Sequence, residues 1–306
     1  MEKIGRLTFF TVGKDRRRID MSNFVLYNPL AGACKGDGWM EKIEKAAVTA
    51  YGEGQFTVLD ITKLEHASFF ADKTETDSIM LCGGDGTLNR FANDTVGIAV
   101  DCEILYYAMG TGNDFLKDIG KTGSDAPFSV KKYLCGLPVA TVNGKKYRFL
   151  NNVGFGIDGY CCEVGDKMRL ASDKPVNYTA IAIKGLLFHF KPKTATVTVD
   201  GAEYTYKNVW IAPTMKGRYY GGGMMAAPEQ DRLAEDGTVS VMLFYGKGRL
   251  ATLMAFPSIF KGEHVKKKGM VAIHTGRNIS VKFDAPAPMQ IDGETLLGIT
   301  EYTVEA

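Results

Sequence analysis

A glycine-rich turn with one acidic side chain is the feature of this sequence that points most clearly to chemistry. It spans Gly83–Asn89, reads Gly-Gly-Asp-Gly-Thr-Leu-Asn, and lies between an apolar run and an amphipathic one. Glycines let a backbone approach a ligand closely, and the N-terminus of a following helix offers unpaired N–H groups to a phosphate. Thr87 and Asn89 add a hydroxyl and an amide. Because Asp85 would repel a phosphate unless a cation lay between them, the turn indicates Mg²⁺.

Two further turns also come directly after an apolar run. One spans Met109–Phe115 (Met-Gly-Thr-Gly-Asn-Asp-Phe), where Asn113 or Asp114 could cap the next helix, and the other spans Asn28–Gly32. Ligands of open parallel sheets bind beyond the carboxyl ends of the strands. The three turns together therefore predict one nucleotide site at a single edge of a sheet.

Two better-known phosphate motifs do not fit. A P-loop needs a glycine at the position that Phe115 occupies ahead of Gly120-Lys121-Thr122. The stretch Gly154–Gly159 matches the dinucleotide pattern Gly-x-Gly-x-x-Gly, but it opens the β-rich half of the chain, and Thr179 stands where an acidic residue is expected. We therefore assign neither stretch to nucleotide binding.

Strands and helices alternate through the first half of the chain. Apolar runs predict the strands, and apolar residues at helical spacing predict the helices between them. The predicted strands are Phe24–Tyr27, Phe56–Ile61, Ser78–Cys82 and Ile104–Met109, and the predicted helices are Trp39–Tyr51, Leu64–Asp72, Leu88–Asp94 and Asp114–Ile119. This alternation predicts an α/β domain with a parallel sheet covered on both faces.

The second half is β-rich, with alternating polar and apolar residues between Gly, Pro and Asp turns. The predicted strands are Ala195–Val199, Glu203–Ile211, Val239–Tyr245, Met270–Thr275, Asn278–Phe283 and Ile299–Val304. Such strands predict an antiparallel β-sandwich or barrel. For 306 residues two domains are expected, and we place them at 1–140 and 141–306. Residues 1–20 would be an extension, and the C-terminal residues could return to the first domain.

Composition and charge narrow the classes of function. Hydrophobic residues make up 45% and charged residues 24%, as in globular proteins. The 37 Lys and Arg nearly balance 35 Asp and Glu, which argues against a dedicated nucleic-acid binder. No apolar run approaches the ~18–20 residues of a membrane span, and the N-terminus does not resemble a secretory signal. We expect a cytoplasmic protein whose scattered cysteines are reduced.

In combination, the motifs resemble those of the diacylglycerol kinase catalytic family, in its bacterial soluble lipid kinase branch, which is related to sphingosine and ceramide kinases. GGDGT at Gly83–Thr87 and GTGND at Gly110–Asp114 follow an NP-x-x-G turn at Asn28–Gly32, and a DGE motif comes late, at Asp292–Glu294. GGDGT alone is not specific, because NAD kinases also carry it. The resemblance covers about residues 24–302, and the chain departs from many relatives at Arg90, where they carry Glu.

The resemblance implies ATP-dependent phosphorylation of a lipid hydroxyl, in the cleft between a phosphofructokinase-like α/β domain and a β-sandwich. It implies Glu294 as the base that takes the hydroxyl proton and Asp85 as a ligand of Mg²⁺ or of water. Sphingosine kinases suggest the exchanged roles, so both assignments stay open. A structural Mg²⁺ would be held by Asp236 with backbone oxygens near Leu233 and Thr238. The residues implied for the nucleotide are Asn28, Pro29, Gly32, Thr62, Gly83, Gly84, Asp85, Gly86, Thr87, Leu88, Asn89, Gly110, Thr111, Asn113 and Asp114.

The phosphate acceptor is less well defined than the nucleotide. Diacylglycerol, converted to phosphatidic acid, is the first expectation. A sphingoid base or another hydroxylated lipid comes next, and NAD⁺ follows. Outside enzymes, the alternative is a catalytically silent protein that binds nucleotide or lipid on the same fold.

Three segments bear on how the lipid would be reached. Val176–Phe190 is apolar and aromatic, so it could line an acyl channel or pack as a core helix. Met215–Met225 could be a mobile flap or a plain glycine-rich loop. Lys266–Lys268, after the apolar Phe256–Phe260, could meet an anionic bilayer or form a solvated turn. We expect a lipid substrate met by peripheral association with a membrane surface; a homodimer is compatible with the sequence.

Overall fold

A computed structural model of the protein describes residues 21–31, 38–110, 113–172 and 176–306. The expectations for residues 1–20, Gly32 and Thr111 lie outside these ranges. The described chain forms two large sheets, one from each half of the sequence. In these ranges, no helix combines the length and the apolar character needed to cross a bilayer.

The first half is an α/β unit built on a five-stranded sheet. Its strand order is β2-β1-β3-β4-β5, in which the first four strands are parallel and β5 is antiparallel to β4. The predicted parallel sheet with alternating helices is thereby confirmed. The elements are β1 (Asn23–Tyr27), α1 (Trp39–Tyr51), β2 (Thr57–Asp60), α2 (His66–Phe70), β3 (Ser78–Gly83), α3 (Asp85–Asp94), β4 (Glu103–Ala108), α4 (Asp114–Asp118), β5 (Phe128–Ser129) and α5 (Lys131–Leu134).

Alternation along the central strands explains why helices cover both faces of this sheet. Val25 and Met80 are fully buried in the core that includes α1. Their neighbours Leu26 and Leu81 are buried in a separate core with residues of α3. Successive side chains of a strand point to opposite faces, so both faces of β1 and β3 must be covered.

Strand register aligns the carboxyl ends of the parallel strands at one edge. Tyr27 pairs with Asp60 on one side and with Cys82 on the other, and Gly83 pairs with Ala108. Neighbouring strands lie about 4.8 Å apart. The turns that follow β1, β3 and β4 therefore begin side by side.

The second half is an antiparallel sheet of ten strands, which confirms the predicted change of architecture. Its main order is β15-β14-β11-β8-β16-β17-β6-β7, while β9 joins β16 and β10 pairs with β9. The elements are β6 (Val139–Val142), β7 (Lys145–Arg148), β8 (Asn152–Gly156), α6 (Ile157–Ala171), α7 (Tyr178–Lys184), β9 (Lys193–Val199), β10 (Ala202–Val209), β11 (Ile211–Met215), β12 (Tyr219–Tyr220), β13 (Met224–Met225), β14 (Val239–Phe244), α8 (Arg249–Ala255), β15 (Val271–Gly276), β16 (Asn278–Ile291) and β17 (Glu294–Glu305).

Helix α6 is the main element that the sequence pattern did not predict. It begins directly after β8, so the Gly-x-Gly-x-x-Gly stretch does lie at a junction of strand and helix. Its glycines nevertheless serve packing: a Cβ on Gly154 would lie 2.5 Å from the Cα of Pro213, and one on Gly156 would lie 2.6 Å from the Cα of Ile211. Side chains at these positions would push β11 away from β8.

The apolar segment Val176–Phe190 forms α7 and a following π-helical turn, Gly185–His189. Ile181, Leu186 and Phe190 are buried in a core shared with α6 and α8. Phe188, by contrast, is 71% exposed. The core-helix interpretation therefore describes the buried side of this segment, while Tyr178, Ile183 and Phe188 are exposed.

Candidate active site

The turns after β1, β3 and β4 contact one another at the carboxyl edge of the first sheet. The side-chain amide of Asn28 donates a hydrogen bond to the Thr87 hydroxyl at 3.2 Å. A Cβ on Gly84 would lie only 3.2 Å from the Cα of Gly110, so the second and third turns pack backbone against backbone. Glycine is needed here for close approach, as expected of a cradle for a ligand.

The other residues expected around the nucleotide differ in their exposure to solvent and in their hydrogen bonds. Gly86 is exposed with open space beside it, and Pro29 is half-buried next to Asn28. The Leu88 side chain is fully buried in the core, and its N–H donates to the Gly84 carbonyl at 3.3 Å. Thr62 lies in the 3₁₀ turn Ile61–Lys63 that follows β2, where its N–H and hydroxyl both donate to Asp60. The Gly83 carbonyl accepts from the backbone N–H of Met109 and from the Tyr106 hydroxyl.

Asp85 begins α3 with a carboxyl group withdrawn from solvent. Its Oδ2 accepts hydrogen bonds from the Phe115 N–H and the Asn151 side-chain amide, each at 3.0 Å. Its Oδ1 is buried and has no hydrogen-bond partner within the described residues. Burial raises the pKa of this carboxyl to about 7, with repulsion from Asp114 and Asp292 adding to the effect. A buried unpaired oxygen of this kind suits a cation or a bound water.

Asp114 ties α4 to the second half of the chain. Its carboxylate accepts hydrogen bonds from the N–H groups of Gly222 and Gly223, at 2.8 and 2.6 Å. Burial raises the pKa of the Asp114 carboxyl, and these two donors oppose the shift. The Lys117 ammonium adds a hydrogen bond to the Gly223 carbonyl at 3.2 Å. The glycine segment of Met215–Met225 is thus held against α4 at the site.

Asn113, just before α4, has a buried side-chain oxygen that lacks a hydrogen-bond partner among the described residues.

Asp292 anchors the late DGE turn at the same place. Its carboxylate accepts from the backbone N–H groups of Leu150, Asn151 and Asn152, which precede or begin β8. It also accepts from the Asn89 side-chain amide of α3 at 2.6 Å. Since Asn89 donates to the Arg148 carbonyl as well, its amide group serves the junction between the two halves.

Glu294 follows that turn as the first residue of β17. Asp292 and Gly293 have φ angles of 45° and 91°, as in the tight turns that join two antiparallel strands. Glu294 pairs with Ile291 across the hairpin and is exposed to solvent. Because Asp292 contacts α3, the hairpin that carries Glu294 adjoins the junction between the two halves of the chain. Asp85 and Glu294 come from different halves of the chain.

A buried network of polar side chains holds Asn151, whose amide donates to Asp85. The sequence did not reveal this network. The side-chain oxygen of Asn151 accepts from Arg232 Nη2 at 2.8 Å, while its amide holds Asp85. Arg232 forms an ion pair with Asp118 at 2.7 Å, with side chains 4% and 3% exposed. Arg218 contacts the other Asp118 oxygen at 2.9 Å. No motif marks these residues, although Asn151 directly precedes the Asn-Val-Gly-Phe-Gly stretch.

The loop around Asp236, which is expected to bind a structural Mg²⁺, is held together by the side-chain amide of Gln230. Gln230 donates to the carbonyls of Asp231 and Thr238, at 3.0 Å each. Asp236 Oδ1 accepts from the Thr238 N–H and hydroxyl, which lower the pKa of the Asp236 carboxyl and keep it ionised. Leu233 is exposed on the same loop. Within the described ranges, no group of three or more His, Cys, Asp or Glu side chains is arranged to hold a metal. Any cation at this loop would therefore depend on Asp236 and backbone oxygens, which are the hard ligands that Mg²⁺ prefers.

Family models match nearly the whole described chain. Residues 22–138 match the diacylglycerol kinase catalytic domain, and residues 151–305 match the YegS C-terminal NAD kinase β-sandwich-like domain. The second match alone covers half of the chain.

Individual relatives agree with these matches. A diacylglycerol kinase of Mycobacterium tuberculosis is 25% identical over 274 residues, covering 86% of this chain and 84% of the relative. A diacylglycerol kinase of Bacillus subtilis is 23% identical and covers 88% of each chain. A crystal structure of a diacylglycerol kinase from Bacillus anthracis shares the fold, with a TM-score of 0.58, 20% identity and 93% of each chain covered. This chain is therefore a kinase of the diacylglycerol kinase-like lipid kinase family.

Proposed function

We propose that this protein transfers the γ-phosphoryl group of ATP to the hydroxyl of diacylglycerol and so forms phosphatidic acid. The observation that carries the proposal is the buried Asp85 carboxyl, with one unpaired oxygen, at the point where the glycine turns meet. Phosphoryl transfer depends mainly on positioning and on neutralising charge, so a site of this kind has what the reaction requires.

The triphosphate would lie against the turns at the start of α3. Gly86 is exposed and unobstructed, and the first N–H groups of a helix of ten residues favour a negative charge. Asn28 and Thr87 would add side-chain donors, and Thr62 would lie toward the edge at β2. Gly32 and Thr111, outside the described residues, remain part of the proposed set.

Magnesium fits the chemistry of two sets of oxygens. Asp85 has the unpaired carboxyl oxygen next to the proposed triphosphate. Asp236, with backbone oxygens near Leu233 and Thr238, would hold a second, structural ion. When bound, Mg²⁺ would neutralise phosphate charge. Asp85 itself would change its ionisation near pH 7, so its charge would depend on the ligand beside it.

Glu294 would take the proton from the lipid hydroxyl. It is exposed at the junction, and the four donors on Asp292 hold its hairpin in position. A base must reach its substrate, which favours the exposed Glu294 over the buried Asp85. With one carboxylate from each half of the chain, closure around both substrates would complete the site.

The test is phosphoryl transfer from ATP labelled at the γ-position, with product masses measured. Acceptors are diacylglycerol in mixed micelles, a sphingoid base in the same micelles, and NAD⁺. We expect phosphatidic acid from the wild type and none from Asp85→Asn, whereas the matched surface variant Asp94→Asn on the same helix stays active.

Other outcomes decide between the alternatives. If a phosphorylated sphingoid base formed and phosphatidic acid did not, the acceptor would be the sphingoid base instead of diacylglycerol. A product from NAD⁺ alone would overturn lipid phosphorylation. If the folded wild type transferred phosphate to no acceptor, a silent binding protein would be the better description.

A further inference from the structure

Three adjacent segments of the second half expose large apolar side chains. These are the π-helical turn Gly185–His189, helix α8, and the 3₁₀ turn Phe256–Lys261 that follows α8. The exposed side chains, which we call the α8 surface, are Phe188 (71% exposed), Leu250 (66%), Met254 (71%) and Phe260 (46%).

Contacts place the segments that carry these side chains next to one another. Arg249, at the start of α8, donates to the Leu186 carbonyl of the π-helical turn at 2.8 Å, and the two segments pack together. Leu250 and Met254 are four residues apart and therefore lie on the same side of α8. The chain continues from α8 directly into the turn that carries Phe260.

The outward apolar side of α8 has no role in the core. The helix is anchored by Thr252 and Ala255, both buried. Solvent-facing positions of a helix are usually polar, and a contiguous group of large exposed apolar side chains marks an interaction site. Leu250 and Met254 stand at positions where the fold alone would accept charged residues.

Positive charge is concentrated in the sequence around these segments. Residues 247–268 contain six Lys or Arg and a single acidic residue, Glu263, whereas the whole chain has a net charge of only +2. Lys184 and Lys191, both exposed, flank the π-helical turn. A second copy of the chain would present the same cations and be repelled, while an anionic partner would be attracted.

We infer that the α8 surface docks on an anionic lipid bilayer, with Phe188, Leu250 and Met254 entering the interface and the lysines contacting headgroups. Apolar side chains rimmed by cations are the combination that binds such surfaces. The inference rests on the proposed lipid substrate for its purpose, but the docking itself needs neither ATP nor diacylglycerol.

The docking surface shares a buried core with a segment of the candidate active site. Ala255 and Ile259, beneath the α8 surface, share a core with Tyr220 and Met224. Those two residues flank the glycines that donate to Asp114. A bilayer held at α8 would therefore be one packed layer away from the segment that contacts α4.

The experiment measures sedimentation of the full chain with vesicles, without nucleotide. Vesicles of phosphatidylcholine alone are compared with vesicles containing phosphatidylglycerol. The apolar pair Leu250→Gln, Met254→Gln is matched by Val48→Gln, Val96→Gln, at apolar positions exposed by 43% and 55% in the first half. The charge pair Lys266→Gln, Lys268→Gln is matched by Lys145→Gln, Lys146→Gln, which are exposed on another surface.

We expect binding that requires phosphatidylglycerol. The apolar pair should weaken it by at least about 30-fold, and the lysine pair by about 30-fold, since each cation contributes about fivefold. The matched variants should bind like the wild type. Because all the substituted side chains are exposed, urea midpoints should stay unchanged and separate docking from folding.

Three results would overturn the inference. The first is that the wild type does not bind anionic vesicles. The second is that the α8 variants bind these vesicles as well as their matched controls do. The third is that the apolar pair loses self-association while its vesicle binding stays intact. The proposed function fails differently: the wild type would not phosphorylate a short-chain diacylglycerol in solution, whatever its vesicle binding. An α8 variant should keep that soluble activity.

Discussion

Replacing Asp85 with Asn should stabilise the protein at neutral pH while abolishing phosphoryl transfer. In the folded state the carboxyl keeps its proton up to about pH 7, whereas its ordinary value is 3.8. Between these values the unfolded chain releases a proton that the folded chain retains. The contribution of Asp85 to stability therefore falls as pH rises from about 4 to about 7, and stays low above that.

The size of the effect follows from the two pKa values and from the hydrogen bonds. The difference between about 7 and 3.8 corresponds to about 4 kcal/mol of destabilisation above pH 7. An Asn side-chain oxygen can still accept from the Phe115 N–H and the Asn151 amide, as Asp85 Oδ2 does. Allowing for weaker bonds to a neutral acceptor, we expect Asp85→Asn to gain about 2–4 kcal/mol at pH 8.

Urea unfolding of both proteins at several pH values between 4 and 8, without nucleotide or Mg²⁺, measures this directly. The difference in unfolding free energy should be close to zero near pH 4 and should grow toward pH 7. Asp94→Asn, which breaks an exposed ion pair on the same helix, should change stability by less than about 1 kcal/mol. If Asp85→Asn were equally destabilising at pH 5 and pH 8, the carboxyl would not be desolvated and the reasoning would be refuted.

Four further changes test the site around Asp85. Glu294→Gln should lower kcat in a lipid kinase assay and leave the KM for ATP nearly unchanged, because the exposed side chain would act on the lipid hydroxyl and not on the nucleotide. Arg232→Met should cost about 3–5 kcal/mol in urea unfolding, since Asp118 loses a buried ion-pair partner, and adding Asp118→Asn should recover part of that loss. Asp292→Asn should cost about 3 kcal/mol, because an amide cannot accept from all four donors. Gly84→Ala should weaken ATP binding measured by calorimetry, since its Cβ would press on the neighbouring turn.

Each of these has an opposite outcome. Collapse of ATP affinity in Glu294→Gln would make that residue a nucleotide ligand. Additive losses in the Arg232 and Asp118 double variant would show that the pair is not coupled. A fully stable Asp292→Asn would mean that the hairpin is held by other contacts, and unchanged ATP binding in Gly84→Ala would move the nucleotide away from that turn.

The architecture was predictable from sequence because its signals are local. The apolar run Ser78–Cys82 predicts a strand, and the amphipathic stretch Trp39–Tyr51 predicts a helix, each without reference to the rest of the chain. The glycine turns mark where strands end. Helix α6 escaped prediction because its sequence, Ile157–Ala171, contains Gly159 and Gly165, whose absent side chains make room for neighbouring residues. Propensity argued against a helix there, and tertiary packing decided otherwise.

The buried network could not be predicted, because its members are far apart in the chain. Asp118, Asn151 and Arg232 meet through contacts that span 81 to 114 residues. Each residue type is common on protein surfaces, so only the fold shows that these side chains are buried and paired. Asp85 was found because glycines surround it in sequence, whereas its raised pKa depends on burial that no local pattern reports.

The most direct measurement is a crystal structure of the protein with Mg²⁺ and a non-hydrolysable ATP analogue. We predict the triphosphate within about 3 Å of the N–H groups of Gly84–Gly86 and of the Asn28 side chain, with a cation beside Asp85. A nucleotide bound on another face, with these turns empty, would contradict the assignment of this edge of the sheet as the phosphate site.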